Sequence, residues 1–257
     1  MADAAEHPEI RRDYPVVAQS LALAASAQLR NMASLGGNVL QRTRCTYFRD
    51  VSYAACNKRE RGSGCAAMDG VNRMHAVLGA SEHCIATYPG DFAQALIALD
   101  ATVDIVGPRQ KTRAIPFAAL HRRPGDTPDI ETTLQPGEMI AFLTIPAAPW
   151  TRRSLFLKVR DRQSYEFAVA AAAVALDLEG EEVRQARIAL GGVATVPWRA
   201  KVAEEALRNQ PVNDETTRAA AEAAFADARV RKDNAFKVEL GKRTLARALR
   251  QAAALSI

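Results

Sequence analysis

All four cysteines of this 257-residue chain fall between positions 45 and 84, in the order Cys45-x10-Cys56-x8-Cys65-x18-Cys84. Thiolates ligate zinc and iron–sulfur clusters. Structural zinc sites usually pair their thiols in close knuckles of two to four intervening residues, and no such knuckle occurs here. A cluster of iron and sulfide is bulkier than one ion and gathers ligands from widely separated loop positions. Charge favours the cluster. From Arg42 to Cys65 stand Arg42, Arg44, Arg49, Lys58, Arg59 and Arg61 against Asp50 and Glu60. A four-thiolate [4Fe–4S] centre is net negative, and nearby cations and N–H donors stabilise it. Gly62 and Gly64 would let backbone amides approach its sulfides. The competing reading is four buried structural cysteines, against which the polarity of the segment speaks. His75 and His83 are further ligands open to a zinc site.

A second candidate is Ser34-Leu35-Gly36-Gly37-Asn38. Adjacent glycines break a helix and free successive N–H groups to close on an anion such as a pyrophosphate. Many turns contain such a pair, so it carries little weight alone.

The elements that must hold these groups read as follows. Residues 16–30 have helical spacing at Leu21, Ala25 and Leu29. HCIATYP predicts a short strand, and Asp91 an N-cap for a helix through Leu99. ATVDIVG, EMIAFLTIP and RRSLFLKVRDR read as strands. From Ala168 two runs joined at Glu179–Glu182 predict a hairpin, with Ala186, Ile188 and Leu190 on one face. Pro197 suits the first turn of a helix carrying Val202 and Leu207. TTRAAAEAAFADA predicts another. AFKVELGKRTLARALRQAA predicts a third, with Phe236, Leu240, Leu245 and Leu249 apolar and Lys237, Lys242, Arg243, Arg247 and Arg250 on a solvated face. PAAPWTRR marks a break between residues 1–150 and 151–257. The expected class is α+β.

Bulk properties exclude some functions. The chain is 48% hydrophobic and 25% charged, as ordinary globular proteins are. Its net charge of +5 is compatible with many partners, but 6% aromatic content offers no base-stacking surface for nucleic acid. The longest apolar run, Ala168 to Leu176, is too short to span a bilayer. The amino terminus shows no positive region leading into an apolar stretch. The expected location is the cytoplasm, or the periplasm for a folded passenger on a partner bearing a twin-arginine signal.

QLRNMASLGGNVLQRTRCTYFRD, CNKRERGSGCAA, GVNRMHAVLGASEHCIATYPGD and FKVELGKRTLARALR together resemble the FAD-binding medium subunit of the xanthine dehydrogenase and molybdenum hydroxylase family. The nearest branch is the bacterial aldehyde oxidoreductase type whose flavin subunit also carries a [4Fe–4S] cluster. The resemblance implies the second subdomain of an FAD-binding domain with a cluster-bearing insertion at about residues 40–84. A small α+β C-terminal domain of hairpin plus helices follows. It also implies that Gly36, Gly37 and Asn38 hold the FAD diphosphate region. Asp91 would hydrogen-bond flavin-side or ribityl hydroxyls, and Ile140 would pack on the cofactor. Lys158 would lie at the pyrimidine edge of the flavin, where a cation favours negative charge on the reduced ring. Cys45, Cys56, Cys65 and Cys84 would bind the cluster.

The implied function is electron transfer. A large molybdopterin-binding subunit oxidises an aldehyde or N-heterocycle, and a small [2Fe–2S] subunit passes electrons to FAD here and on to an external acceptor. The three form a heterotrimer, without nucleic acid or membrane. Family members begin with a further subdomain carrying an Ala-Gly-Gly-Thr type loop. The expectation here is therefore an N-terminally truncated or mis-started chain with weakened FAD contacts. Two rivals follow: a flavin-less [4Fe–4S] module or degenerate fragment, and a basic zinc-binding nucleic-acid protein.

Overall fold

The computed structural model describes residues 1–257. Its first half opens with short helices: α1 (Ala2–Glu6), α2 (Pro8–Asp13), α3 (Pro15–Ala22), α4 (Ala27–Met32), α5 (Leu35–Val39) and α6 (Thr46–Arg49). The single helix expected over 16–30 is two. It stops at Ala22, Ala25 takes a positive φ, and Ser26 restarts the chain by accepting a hydrogen bond from the Leu29 amide. Leu29 faces solvent instead of the core. The glycine pair breaks no helix either. It forms α5, because Ser34 Oγ accepts from the Gly37 amide as an N-cap.

After the cysteine segment come α7 (Phe92–Ala98), β1 (Thr102–Val106), β2 (Thr112–Pro116) and β3 (Met139–Thr144). The three strands make an antiparallel sheet in the order β2-β1-β3, with a bulge at Asp104/Ile105 opposite Ile140. Every residue of α7 is buried, so it serves as the central rod of this half. The HCIATYP stretch forms no strand. It runs extended and pairs through loop contacts, such as Ala76 N–H to Ile85 O at 2.9 Å.

The second sheet holds β4 (Ser154–Val159), β5 (Ala170–Glu179), β6 (Glu182–Gly191) and β7 (Trp198–Arg199), all antiparallel in chain order. Helices α8 (Lys201–Leu207), α9 (Asp214–Ala224) and α10 (Phe236–Ala253) follow. Pro197 precedes β7 instead of opening a helix, and α8 begins four residues later. The hairpin turns at Gly180, whose φ of +62° suits a two-residue connection. β5 explains the alanine run. Ala171, Ala173 and Ala175 face the core built on α7, while Ala170, Ala172, Val174 and Leu176 face the core built on α9 and α10. A strand buried on both faces reads as a continuous apolar run, and small side chains let helices approach closely. No helix is long and apolar enough to cross a membrane.

Candidate functional site

The cysteine segment is tied into its surroundings by arginine. Arg59 donates to the carbonyls of Tyr47 (2.6 Å), Phe48 (2.9 Å) and Tyr53, closing the loop after α6 onto itself. Arg49 donates to Thr43 O at 2.9 Å. Lys58 donates to Pro128 O and pairs with Glu131, which also pairs with Arg42, and Arg61 pairs with Asp129. These cations are therefore spent on holding the loop and moor it to residues 128–131. The amides of Gly62 and Gly64 both donate to Asn57 Oδ1, at 3.0 and 2.9 Å. They are not free for sulfide, contrary to the sequence expectation.

Cys56 and Cys65 face each other across an antiparallel bridge between loop strands. All four cysteines are free thiols and line one small cavity, walled by Tyr47, Phe48, Ala67 and Ala86. Burial raises the thiol pKa of Cys45 and Cys65 and pushes that of Cys84 up to about 11, with Lys58 opposing it. No group of three or more potential ligands is compact enough for a single metal ion. His75 Nε2 lies 3.1 Å from Cys45 Sγ, and His83 lines the same cavity as the four thiols. Desolvation, then the charge of Lys237, lowers the His75 pKa to about 4, so the ring is neutral.

A cleft of ≈ 420 Å³ opens between the two halves. Asn38 at the end of the glycine pair, Asp91 at the start of α7 and Lys158 on β4 all line it, together with Arg44, Arg162 and the aromatic pair Tyr165 and Phe167. The register of β4 against β5 sets Lys158 opposite Ala171. Lys158 Nζ donates to Asp91 Oδ2 at 2.6 Å and to Leu23 O at 3.1 Å, with the two side chains 1% and 6% exposed. Desolvation raises the Asp91 pKa to about 6, against the pull of Lys158. Asp91 does stand at the N-cap position of α7, but its carboxylate makes no cap bond. Lys158 takes it instead.

Gly36, Gly37 and Ile140 lie to one side. A Cβ on Gly36 would sit 3.6 Å from Ile140 Cβ, and one on Gly37 2.9 Å from Ser34 Oγ. A side chain at Gly36 would meet β3 at ordinary contact distance, whereas one at Gly37 would crowd the Ser34 cap. Ile140 packs on Gly36 and does not line the cleft. The cleft suits a large polar cofactor in one telling respect: Asn38 Oδ1 is buried with no partner, an acceptor that a ligand hydroxyl or amide would satisfy. Sequence reasoning missed Arg44, Arg162, Tyr165 and Phe167. The signal was there in the loop 160–167, where basic and aromatic residues crowd between two apolar strands.

Residues 1–148 match the family described as the FAD binding domain in molybdopterin dehydrogenase, and residues 156–252 match the CO dehydrogenase flavoprotein C-terminal domain. The aldehyde oxidoreductase FAD-binding subunit PaoB of Escherichia coli (strain K12) is 46% identical over 252 residues, spanning 98% of this chain and 76% of that one. A putative xanthine dehydrogenase FAD-binding subunit of the same organism, XdhB, is 23% identical, spanning 86% of this chain and 59% of that one. Among solved structures, reconstituted CO dehydrogenase from Oligotropha carboxidovorans superposes with a TM-score of 0.70 at 20% identity, covering 98% of this chain and 72% of that one. Quinoline 2-oxidoreductase from Pseudomonas putida 86 gives 0.69 at 21%, covering 98% and 71%. A chain with this cleft, these two matched domains and this degree of identity is an oxidoreductase subunit, and it belongs to the FAD-binding medium subunits of the molybdenum hydroxylase family.

Proposed function

We propose that this chain carries electrons for an aldehyde-oxidising molybdenum enzyme, through FAD in the cleft and a [4Fe–4S] cluster on Cys45, Cys56, Cys65 and Cys84. The single observation that carries the reading is spatial. Four thiols spread along the chain line one cavity, and Arg44 of the cleft adjoins Cys45 of that cavity in sequence. Redox groups exchange electrons only when closely spaced, and a flavin cleft beside a thiol cavity meets that requirement for a relay. All four thiols line the same cavity, and four thiolates are the donor set of a [4Fe–4S] cluster.

FAD, when bound, supplies exchange between two-electron and one-electron carriers. The chain's own residues do the rest. Lys158, held on Asp91 and Leu23 O, presents a fixed positive charge at the cleft wall. Arg44 offers positive charge for phosphate, having only the Phe167 ring beneath it at 5.4 Å, whereas Arg162 is already paired with Glu166 and donates to Tyr165 O at 2.6 Å. Asn38 Oδ1 accepts a cofactor hydroxyl. Tyr165 and Phe167 add exposed aromatic surface to the cleft wall. Gly36 and Gly37 act indirectly, through the short Ser34-capped helix α5 that carries Asn38 to the cleft. No residue here is assigned to the organic substrate. That chemistry falls to a large molybdenum-bearing partner, with a small [2Fe–2S] partner between them.

Anaerobic purification with the partner subunits tests the reading. The expected result is about four irons with matching acid-labile sulfide per chain, a flavin absorbance spectrum, and co-migration with both partners. Zinc without iron overturns the cluster assignment. Colourless, flavin-free protein in an active complex overturns the flavin assignment.

A further inference from the structure

One contact at the thiol cavity belongs to neither the four ligands nor the cleft. His75 is 6% exposed, and its Nε2 lies 3.1 Å from Cys45 Sγ. The ring is held there from behind. Lys237, on α10 of the C-terminal half, is fully buried, and its ammonium donates to His75 O (3.3 Å), Met74 O (3.0 Å) and Gly192 O (2.6 Å). Three N–H bonds meet three carbonyls, which fixes the His75 backbone against the end of β6. On the other side Asn72 is locked to Asp233, with the Asn72 amide to Asp233 Oδ2 at 3.2 Å and the Asp233 amide to Asn72 Oδ1 at 2.9 Å. The backbone that carries the imidazole is thus pinned beside the sulfur by a buried network.

We propose that His75 is a positioning residue for the redox centre, donating its Nε2–H to the sulfur of Cys45 and so raising the reduction potential of the cluster. This rests on the [4Fe–4S] reading above. A metal-bound thiolate has no proton, so the hydrogen between the two atoms must be that of Nε2. The other ring nitrogen, Nδ1, is buried without a partner, so Nε2 is the ring atom that bonds. An N–H bond to a ligand sulfur stabilises whichever redox state holds more negative charge there. That state is the reduced one. His75 also sits with its carbonyl on an α10 lysine, so the C-terminal half, which carries no cysteine, still acts on the cluster.

The test uses the full chain, loaded anaerobically with ferrous iron and sulfide, with the midpoint read by electron paramagnetic resonance during a reductive titration. His75→Phe keeps a ring in the space and removes the donor, and His75→Gln restores an amide N–H at similar reach. The expected result is equal iron content in all three. The reduction equilibrium of His75→Phe falls about tenfold, which is 59 mV for one electron, and His75→Gln recovers most of it. Iron-loaded His75→Phe with an unchanged midpoint overturns the inference and leaves the cluster reading intact. Wild-type protein that takes up no iron sinks the cluster reading, and the inference with it. Should His75→Phe fail to fold, wild-type protein labelled with 15N-histidine decides: a weak nitrogen coupling to the reduced cluster is expected, and its absence overturns the proposal.

Discussion

Lys158→Met should unfold this protein several degrees early, and most of all at pH values where Asp91 is ionised. The two side chains are almost fully buried and 2.6 Å apart. Removing the cation leaves a carboxylate in an apolar wall with its principal partner gone, a loss that typically costs about 3–5 kcal/mol. For a chain of this size each kcal/mol moves Tm by roughly 2–4 °C, so the fall at pH 8 is roughly 6–20 °C. The folded pKa of Asp91, about 6, stands above its ordinary value of 3.8. A raised carboxyl pKa contributes stability that is fully present below pH 3.8 and lost as pH rises through 6. That dependence amounts to about 3 kcal/mol at 1.36 kcal/mol per unit. Without Lys158 the carboxyl takes up its proton more readily still, so at pH 5 the penalty should shrink to about 1 kcal/mol, the loss of one hydrogen bond. The double variant Lys158→Met/Asp91→Asn should recover at least 2 kcal/mol of the single variant's loss at pH 8. Differential scanning calorimetry at pH 5 and 8 on all four proteins reads this directly. A Lys158→Met loss that is the same at both pH values, or a double variant whose loss equals the sum of the singles, refutes the coupling.

Three further outcomes follow from the same geometry. Lys237→Met strands three carbonyls, and although it also removes a buried charge it should lower stability by about 2–4 kcal/mol, seen as a Tm drop. Burial, with Arg73 adding, lowers the Lys237 pKa to about 7 from 10.5. The unfolded chain therefore holds more protons between those values, and wild-type stability should rise from pH 7 to 10 by an amount that Lys237→Met abolishes; equal slopes would count against it. Gly192→Ala places a Cβ 2.6 Å from Ala168 O at a φ of +71°, and should cost more than about 1–3 kcal/mol by urea titration, whereas Gly180→Asn at the exposed hairpin turn should cost far less. Asn213→Ala removes an N-cap that accepts from Glu215 and Thr216, for about 1 kcal/mol; an unchanged Tm would show that α9 does not depend on its cap.

Much of this molecule is written locally. The cysteine spacing and the glycine pair are short-range motifs, and the alternation of β4 to β6 and the amphipathic stripe of α10 are short-range patterns set by periods of 2 and 3.6 residues. They sufficed for the mixed α and β architecture and for the membership of the flavin-subunit family. What the local pattern could not decide was the partner of each polar group. Lys237 has the sequence setting of a solvated helix lysine, yet it is wholly buried, because three carbonyls from the cysteine loop and from β6 meet above α10. Asp91 sits where an N-cap belongs, yet its carboxylate turns to a lysine 67 residues away. Gly36 and Gly37 look like a phosphate loop, yet they form the short helix α5, with the Gly37 amide donating to the Ser34 cap. The arginines around the thiols look like counter-charges, yet most are bound to carbonyls and carboxylates. In each case the residue type fixes which bonds are possible, while the cost of leaving a buried polar group unpaired selects the bond that forms. That choice depends on chain segments distant in sequence, and only the tertiary structure brings them into reach.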